Sequence, residues 1–163
     1  MGDAMKLDER DLDLLNELQK NCKQSLRKIS RKIGMSITTV YERIKKMEKE
    51  GIIKGYKAVI NPDKTENSFL VFMLVHLEPH EIAEKGLIHS DIIKKMAMLP
   101  NVLEAHSVAG EWDVILKIRV RDAHQASNLV NNLIKIEGIR RTHSIDVWET
   151  FKETPELVLK KKI

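Results

Sequence analysis

The sequence predicts an α+β chain of two small domains, and three observations carry that reading. Helix signals crowd the amino-terminal part, where apolar residues recur at three- and four-residue spacing between capping residues. Strand and helix patterns alternate through the remainder. The charge also divides: residues 1–60 hold 14 Lys and Arg against 9 Asp and Glu, whereas residues 61–163 hold 14 against 15. At 163 residues the chain can bury one ordinary core or two small ones.

The first helix is expected from Asp8, with Asp11 completing a capped start and Leu12, Leu15 and Leu18 forming one apolar face up to about Gln19. A second begins at Ser25, buries Leu26, Ile29 and Ile33, and stops at Gly34, a residue suited to the left-handed conformation of a helix end. Ser36 caps the third. There Val40, Ile44 and Met47 share one side, Thr38, Glu42, Lys45 and Lys49 fall on the other, Thr39, Arg43 and Lys46 flank them, and Gly51 closes the helix.

A short helix, a tight turn through Gly34 and a longer helix with a polar start is the outline of a helix-turn-helix. The outward chemistry suits double-stranded DNA. Ser36, Thr38 and Thr39 let the helix start approach base edges, beside Glu42; Arg43 can form a forked pair with guanine; Lys45, Lys46 and Lys49 neutralise phosphates. Residues 20–57 carry 12 basic side chains against 3 acidic ones, which would attract a phosphate backbone. The competing reading is a three-helix bundle with a solvated, lysine-rich face of the kind seen in heat-adapted proteins. Glu50 to Pro62 then alternates as a trailing strand with Ile53, Tyr56, Ala58 and Ile60 as burial candidates and Gly55 at a bend or bulge. "NPDKTENS" supplies turn formers. The expected organisation is a (winged) helix-turn-helix domain over 1–60, a linker over 61–68 and a second domain over 69–163.

In that second domain Ser68 to Leu77 is almost wholly apolar and predicts a strand buried on both faces. Ser90 can cap a helix burying Ile92, Ile93, Met96 and Leu99, stopped by Pro100. "VLEAHSVAGEWDVILKIRV" reads as two strands; Asp122 caps a helix carrying Ala126, Leu129, Val130, Leu133 and Ile136 inward, ended by Gly138; "IRRTHSIDVWETF" is a last strand. The order βαββαβ predicts a ferredoxin-like four-stranded antiparallel sheet with both helices on one face. By alternation, if Val114, Leu116, Ile118 and Val120 face the helices, Ile115, Lys117 and Arg119 face away. If Ile145 and Val147 also face the helices, then Thr142, Ser144, Asp146 and Trp148 face away. An uncovered sheet face with apolar residues calls for a partner, most simply a second copy of the chain.

Between the two central strands, "VAGEWDVILKI" breaks for Gly110, Glu111, Trp112 and Asp113 and resumes at once. One reading is an ordinary hairpin turn with Asp113 capping the bend. The other is a site where backbone amides and a fixed carboxylate are offered to a ligand.

Several functions find no support. No apolar run is long enough to span a membrane and the start lacks a secretion signal, so a cytoplasmic protein is expected. Cys22, the single cysteine, reads as a small core residue. His76 and His80 lie on a strand end and past Pro79, and no ligand-spaced Cys or Glu accompanies them, so neither a metal nor any cofactor is expected. No phosphate loop, nucleophile elbow or paired-carboxylate motif occurs, and no catalytic residue is expected.

"LDERDLDLLNELQKN" followed by "SLRKISRKIGMSITTVYERIKKMEKEGIIKGYKAVINP" resembles the leucine-responsive regulator family, also called Lrp/AsnC or feast/famine. Where helix-turn-helix proteins usually carry alanine four residues before the turn glycine, this chain has Ser30. The resemblance implies a DNA-binding domain joined to a ferredoxin-like effector domain that dimerises through its open sheet face and assembles into larger oligomers. It also implies that Gly110, Glu111, Trp112 and Asp113, matching the family's Gly-x-aromatic-Asp turn, and Thr142 and Ser144 on the last strand contribute to a small-molecule site, usually for an amino acid, at a contact between subunits. The expected function is a sequence-specific, effector-responsive transcription regulator. The alternatives are a nucleoid-organising protein with little sequence choice and, against the basic third helix with Thr38, Thr39 and Arg43, an enzyme like the siroheme decarboxylases on the same two-domain fold.

Overall fold

The structure, a computed structural model, describes residues 6–160. The chain divides into two compact units: one runs to Val59 and takes in the chain from Glu153 onward, and the other spans Ile60–Lys152.

The first unit is built on α1 (Glu9–Lys20), α2 (Leu26–Ile33) and α3 (Ile37–Lys49). Its helix starts are chemically specified. The Asp8 side chain accepts from the Asp11 amide while the Asp11 side chain accepts from the Asp8 amide, a reciprocal capping box. Ser25 and Ser36 cap α2 and α3 by accepting from the Lys28 and Thr39 amides. Gly34 ends α2 at φ 65°, where its missing Cβ removes the left-handed penalty. The Ser30 hydroxyl donates to the Met35 carbonyl at 2.5 Å, so the residue that replaces the usual alanine closes the helix-turn-helix corner with a bond of its own.

Leu14, Ile29, Val40 and Met47 are fully buried, and each contributes about 2 kcal/mol over the exposed state. Leu14 belongs to this core and Leu12 is only half-buried, which corrects the face expected for α1. Cys22 is exposed rather than internal, because it falls in the turn after α1. The strand expected over Glu50 to Pro62 does not form. Ile52 and Ile53 pack on the three-helix core, but Tyr56, Ala58, Val59 and Ile60 are exposed and no strand pairs with this segment among the described residues. Its alternation is real, but a ladder needs a neighbouring strand, and none lies in this unit among the described residues.

The second unit orders its strands β2–β3–β1–β4 in one antiparallel sheet, with β1 Phe69–Leu77, β2 Val102–Ser107, β3 Val114–Val120 and β4 Ile139–Asp146. Two helices, α5 (His89–Ala97) and α6 (Ala123–Leu133), supply Ile92, Met96, Leu129 and Leu133 to a core against Val71, Met73, Val75, Leu116 and Ile118. A short α4 (Pro79–Glu84) is additional to the expected order. Ser90 does not cap α5: the helix starts one residue earlier, Ile88 occupies the cap position, and no side-chain cap forms.

The register reverses the expected facing of the last strand. Thr142, Ser144 and Asp146 pair with Val75, Met73 and Val71, so they share the helix-covered side, while His143 and Ile145 pair with Leu74 and Phe72 on the open side. The alternation rule holds. What failed was its phase, because β4 lies at the sheet edge and leaves even its inward-facing Ser144 and Asp146 exposed. Trp148 lies beyond β4 and is 97% exposed. The open side presents Phe72, Leu74, Ile115 and Ile145.

Candidate functional site

The exposed surface of α3 differs in one important residue from the expected set. Thr38, Glu42, Lys45, Lys46 and Lys49 face solvent. The Ser36 and Thr39 hydroxyls lie 2.8 Å apart and pair with each other while capping the helix. Arg43 instead reaches back to α1. Its Nη1 donates to Asp8 Oδ2 and to Asp11 Oδ1, both at 2.7 Å, and Asp11 is buried. The two carboxylates hold the Arg43 pKa above its ordinary value, and the guanidinium holds the Asp8 carboxyl below its own. The forked donor expected to read guanine therefore clamps the third helix to the first helix's capping box.

In its place the solvent face carries two apolar residues that polarity-guided reading passed over. Ile37 is 44% and Tyr41 50% exposed, and the Lys45 ammonium stands 5.9 Å from the Tyr41 ring centroid. Their signal was available: on a helix whose inner face is already filled by Val40, Ile44 and Met47, any further large apolar residue must point outward. The face is a hydroxyl, an aromatic ring and three lysines along one side of a helix, which suits groove contact and phosphate neutralisation.

The same unit contains an acid-sensitive pair of contacts. Lys32, with Lys20, depresses Glu17 to about 2, and Arg43 depresses Asp8. Both carboxylates have folded pKa values below their unfolded ones, so their stabilisation is fully present above the unfolded carboxyl range and is lost as pH falls through the folded values. The melting temperature of this unit should fall between about pH 4.5 and pH 2, and a pH series followed by circular dichroism checks it.

In the second unit the turn between β2 and β3 closes through the Val108 amide on the Asp113 carbonyl at 2.9 Å and the Asp113 amide on the Val75 carbonyl at 3.0 Å. Gly110 sits at φ 147°, a conformation that disfavours a side chain, although a Cβ there would meet open space. Asp113 Oδ2 accepts from the Leu77 amide at 2.8 Å and lies 2.8 Å from His76 Nδ1. One carboxylate oxygen thus fixes the turn to the end of β1. Trp112 stacks on His143 with centroids 6.0 Å apart and meets His76 edge-on, and the Arg141 guanidinium lies 4.6 Å from its centroid while pairing with Glu111 at 3.1 Å. His76, His143 and Arg141 were not expected at the turn; the antiparallel pairing of β1 with β4 brings them there.

Thr142 and Ser144 are not brought to Trp112 within one chain. They lie on the opposite side of β4 from His143. Among the described residues nothing accepts from the amides of Gly110, Glu111 or Trp112, three consecutive donors that precede an anchored carboxylate in the chain. No His, Cys, Asp and Glu cluster able to hold a metal occurs among the described residues, and no helix among them is long and apolar enough to cross a membrane.

Two family models match. Residues 7–54 match the winged helix-turn-helix DNA-binding family, and residues 70–157 match the Lrp/AsnC ligand binding domain. The HTH-type transcriptional regulator FL11 of Pyrococcus furiosus is 32% identical over 94% of this chain and 97% of its own. The leucine-responsive regulatory protein of Haemophilus influenzae is 36% identical over 94% and 91%. Among solved structures, a transcriptional regulator of Neisseria meningitidis in complex with L-Met superposes with a TM-score of 0.84 at 25% identity, covering 94% of this chain and 97% of that one.

Proposed function

The chain belongs to the Lrp/AsnC family of transcriptional regulators, and from that premise we propose that α3 binds operator DNA through Thr38, Tyr41, Glu42, Lys45, Lys46 and Lys49 while the Gly110–Asp113 turn binds an amino acid that adjusts this binding. The observation that carries the ligand reading is the turn itself: three amides with no partner among the described residues stand next to a half-buried carboxylate and a half-buried tryptophan. The amides receive the ligand carboxylate. Asp113, anchored by Leu77 and His76 through Oδ2, offers Oδ1 to the ammonium group. Thr142 and Ser144 act from a neighbouring subunit, because β4 of the same chain turns them away. The homologous complex with L-Met supports an amino-acid ligand.

Self-association is part of the proposal. The open face with Phe72, Leu74, Ile115 and Ile145 is covered by a second copy, and dimers assemble further. The chain acts as a regulator rather than an enzyme, in keeping with relatives that are transcriptional regulators.

Calorimetry with the twenty amino acids, on wild type and Asp113→Ala, tests the ligand site. Wild type should bind at least one, and Asp113→Ala should bind it at least tenfold more weakly while also melting lower, since the same carboxylate holds β3 to β1. Binding unchanged in Asp113→Ala would reduce the turn to a structural corner.

A further inference from the structure

The chain that leaves β4 does not end in the effector unit. Glu153 to Leu159 forms neither helix nor strand and belongs to the helical unit. There α1 grips it with two side-chain amides one turn apart. Gln19 makes a two-point clip, its Nε2 donating to the Leu157 carbonyl at 3.1 Å and its Oε1 accepting from the Leu157 amide at 2.7 Å. Asn16 donates to the Leu159 carbonyl at 3.2 Å, and the Leu159 side chain packs on the three-helix core. The backbone groups of Leu157 and Leu159 meet amides at i+3 and i of one helix face, so the clip reads the backbone while Leu159 supplies the apolar anchor.

This placement gives the two units a second covalent connection besides that at Val59 and Ile60. The connecting residues 147–152 span at most about 20 Å, and the Val147 amide is fixed to the Leu70 carbonyl at 3.0 Å. Six residues are therefore all that separates the end of β4 from the segment held by α1. Helix α1 in turn holds α3 through Asp8, Asp11 and Arg43, and the end of α2 through Arg10 Nη1 on the Ile33 carbonyl at 2.6 Å.

We propose that Glu153–Leu159 is a strap, docked on α1 by Asn16 and Gln19, that transmits between β4 and the DNA-binding helices. The inference goes beyond effector binding and does not require the effector to be known. Coupling is reciprocal, so DNA bound at one end must alter the other.

Hydrogen exchange on the full chain tests it, with and without a DNA fragment selected from random sequence for binding. In the free wild type the Leu157 amide should exchange at least tenfold more slowly than in Asn16→Ala/Gln19→Ala. On adding DNA, wild type should slow exchange in α2 and α3 and also, at least threefold, in β4. The double variant should keep the α2 and α3 response and lose the one in β4. Leu157→Pro removes the clipped amide without touching any helix, and should behave alike. An unprotected Leu157 amide in wild type, no β4 response in wild type, or a β4 response undiminished in both variants would each overturn the strap. Failure to bind any amino acid would bear on the effector site alone.

Discussion

Arg43→Ala should lower the melting temperature of the helical unit by about 10 °C, corresponding to about 2 kcal/mol in so small a unit. The arginine side chain is 30% exposed and bridges Asp8 to Asp11, whose side chain is 3% exposed. Without it, the buried Asp11 carboxylate is left with the Asp8 amide of the capping box. Breaking a fully buried pair costs about 3 to 5 kcal/mol; the exposed Asp8 end, where screening leaves a pair worth about 1 kcal/mol or less, brings the expectation down. Arg43→Lys should recover only part of the loss, since one ammonium cannot reproduce the planar guanidinium. Thermal melts followed by circular dichroism decide the matter. An unchanged melting temperature accompanied by lost discrimination between selected and random DNA would return Arg43 to base reading.

Replacing Lys45, Lys46 and Lys49 together by alanine should weaken DNA binding on the order of a hundredfold at 0.1 M salt and reduce the slope of log affinity against log salt by about three. All three are exposed, and the contact of Lys45 with Glu48 at 2.9 Å is a solvated pair that contributes little to stability. The melting temperature should therefore stay within a few degrees of wild type. The loss should also be nearly the same on selected and random fragments, because phosphates carry no sequence. Anisotropy titrations at several salt concentrations check this; a slope that does not change would remove this face of α3 from the DNA contact.

Most of the architecture was legible in the sequence because its signals are local. Caps at Asp8, Ser25, Ser36 and Asp122, the stop at Gly34 and the alternation of Val114 to Val120 each follow from one stretch of chain. What local signals leave out is what lies opposite. Arg43 looked free for DNA because nothing in α3 names Asp8 and Asp11 as its partners. Thr142 and Ser144 were assigned a face by alternation alone, and only the pairing with β1 sets its phase. Glu50 to Pro62 has a strand's pattern without a strand's neighbour among the described residues. The Gly110–Asp113 turn was recognisable as a break, whereas its companions His76, His143 and Arg141 come from strands remote in sequence. The tail from Glu153 was read as the end of the second domain, but the long-range partners Gln19 and Asn16 place it with the first unit.

Central to the account is that one unit's occupancy alters the other's affinity. The most direct measurement is the affinity for a selected DNA fragment, by anisotropy at fixed salt, with and without each of the twenty amino acids at saturating concentration. At least one should change the DNA affinity about fivefold or more, the lower end of ordinary coupling, and calorimetry should find its own affinity changed by the same factor when DNA is present. Twenty unchanged DNA affinities would contradict it.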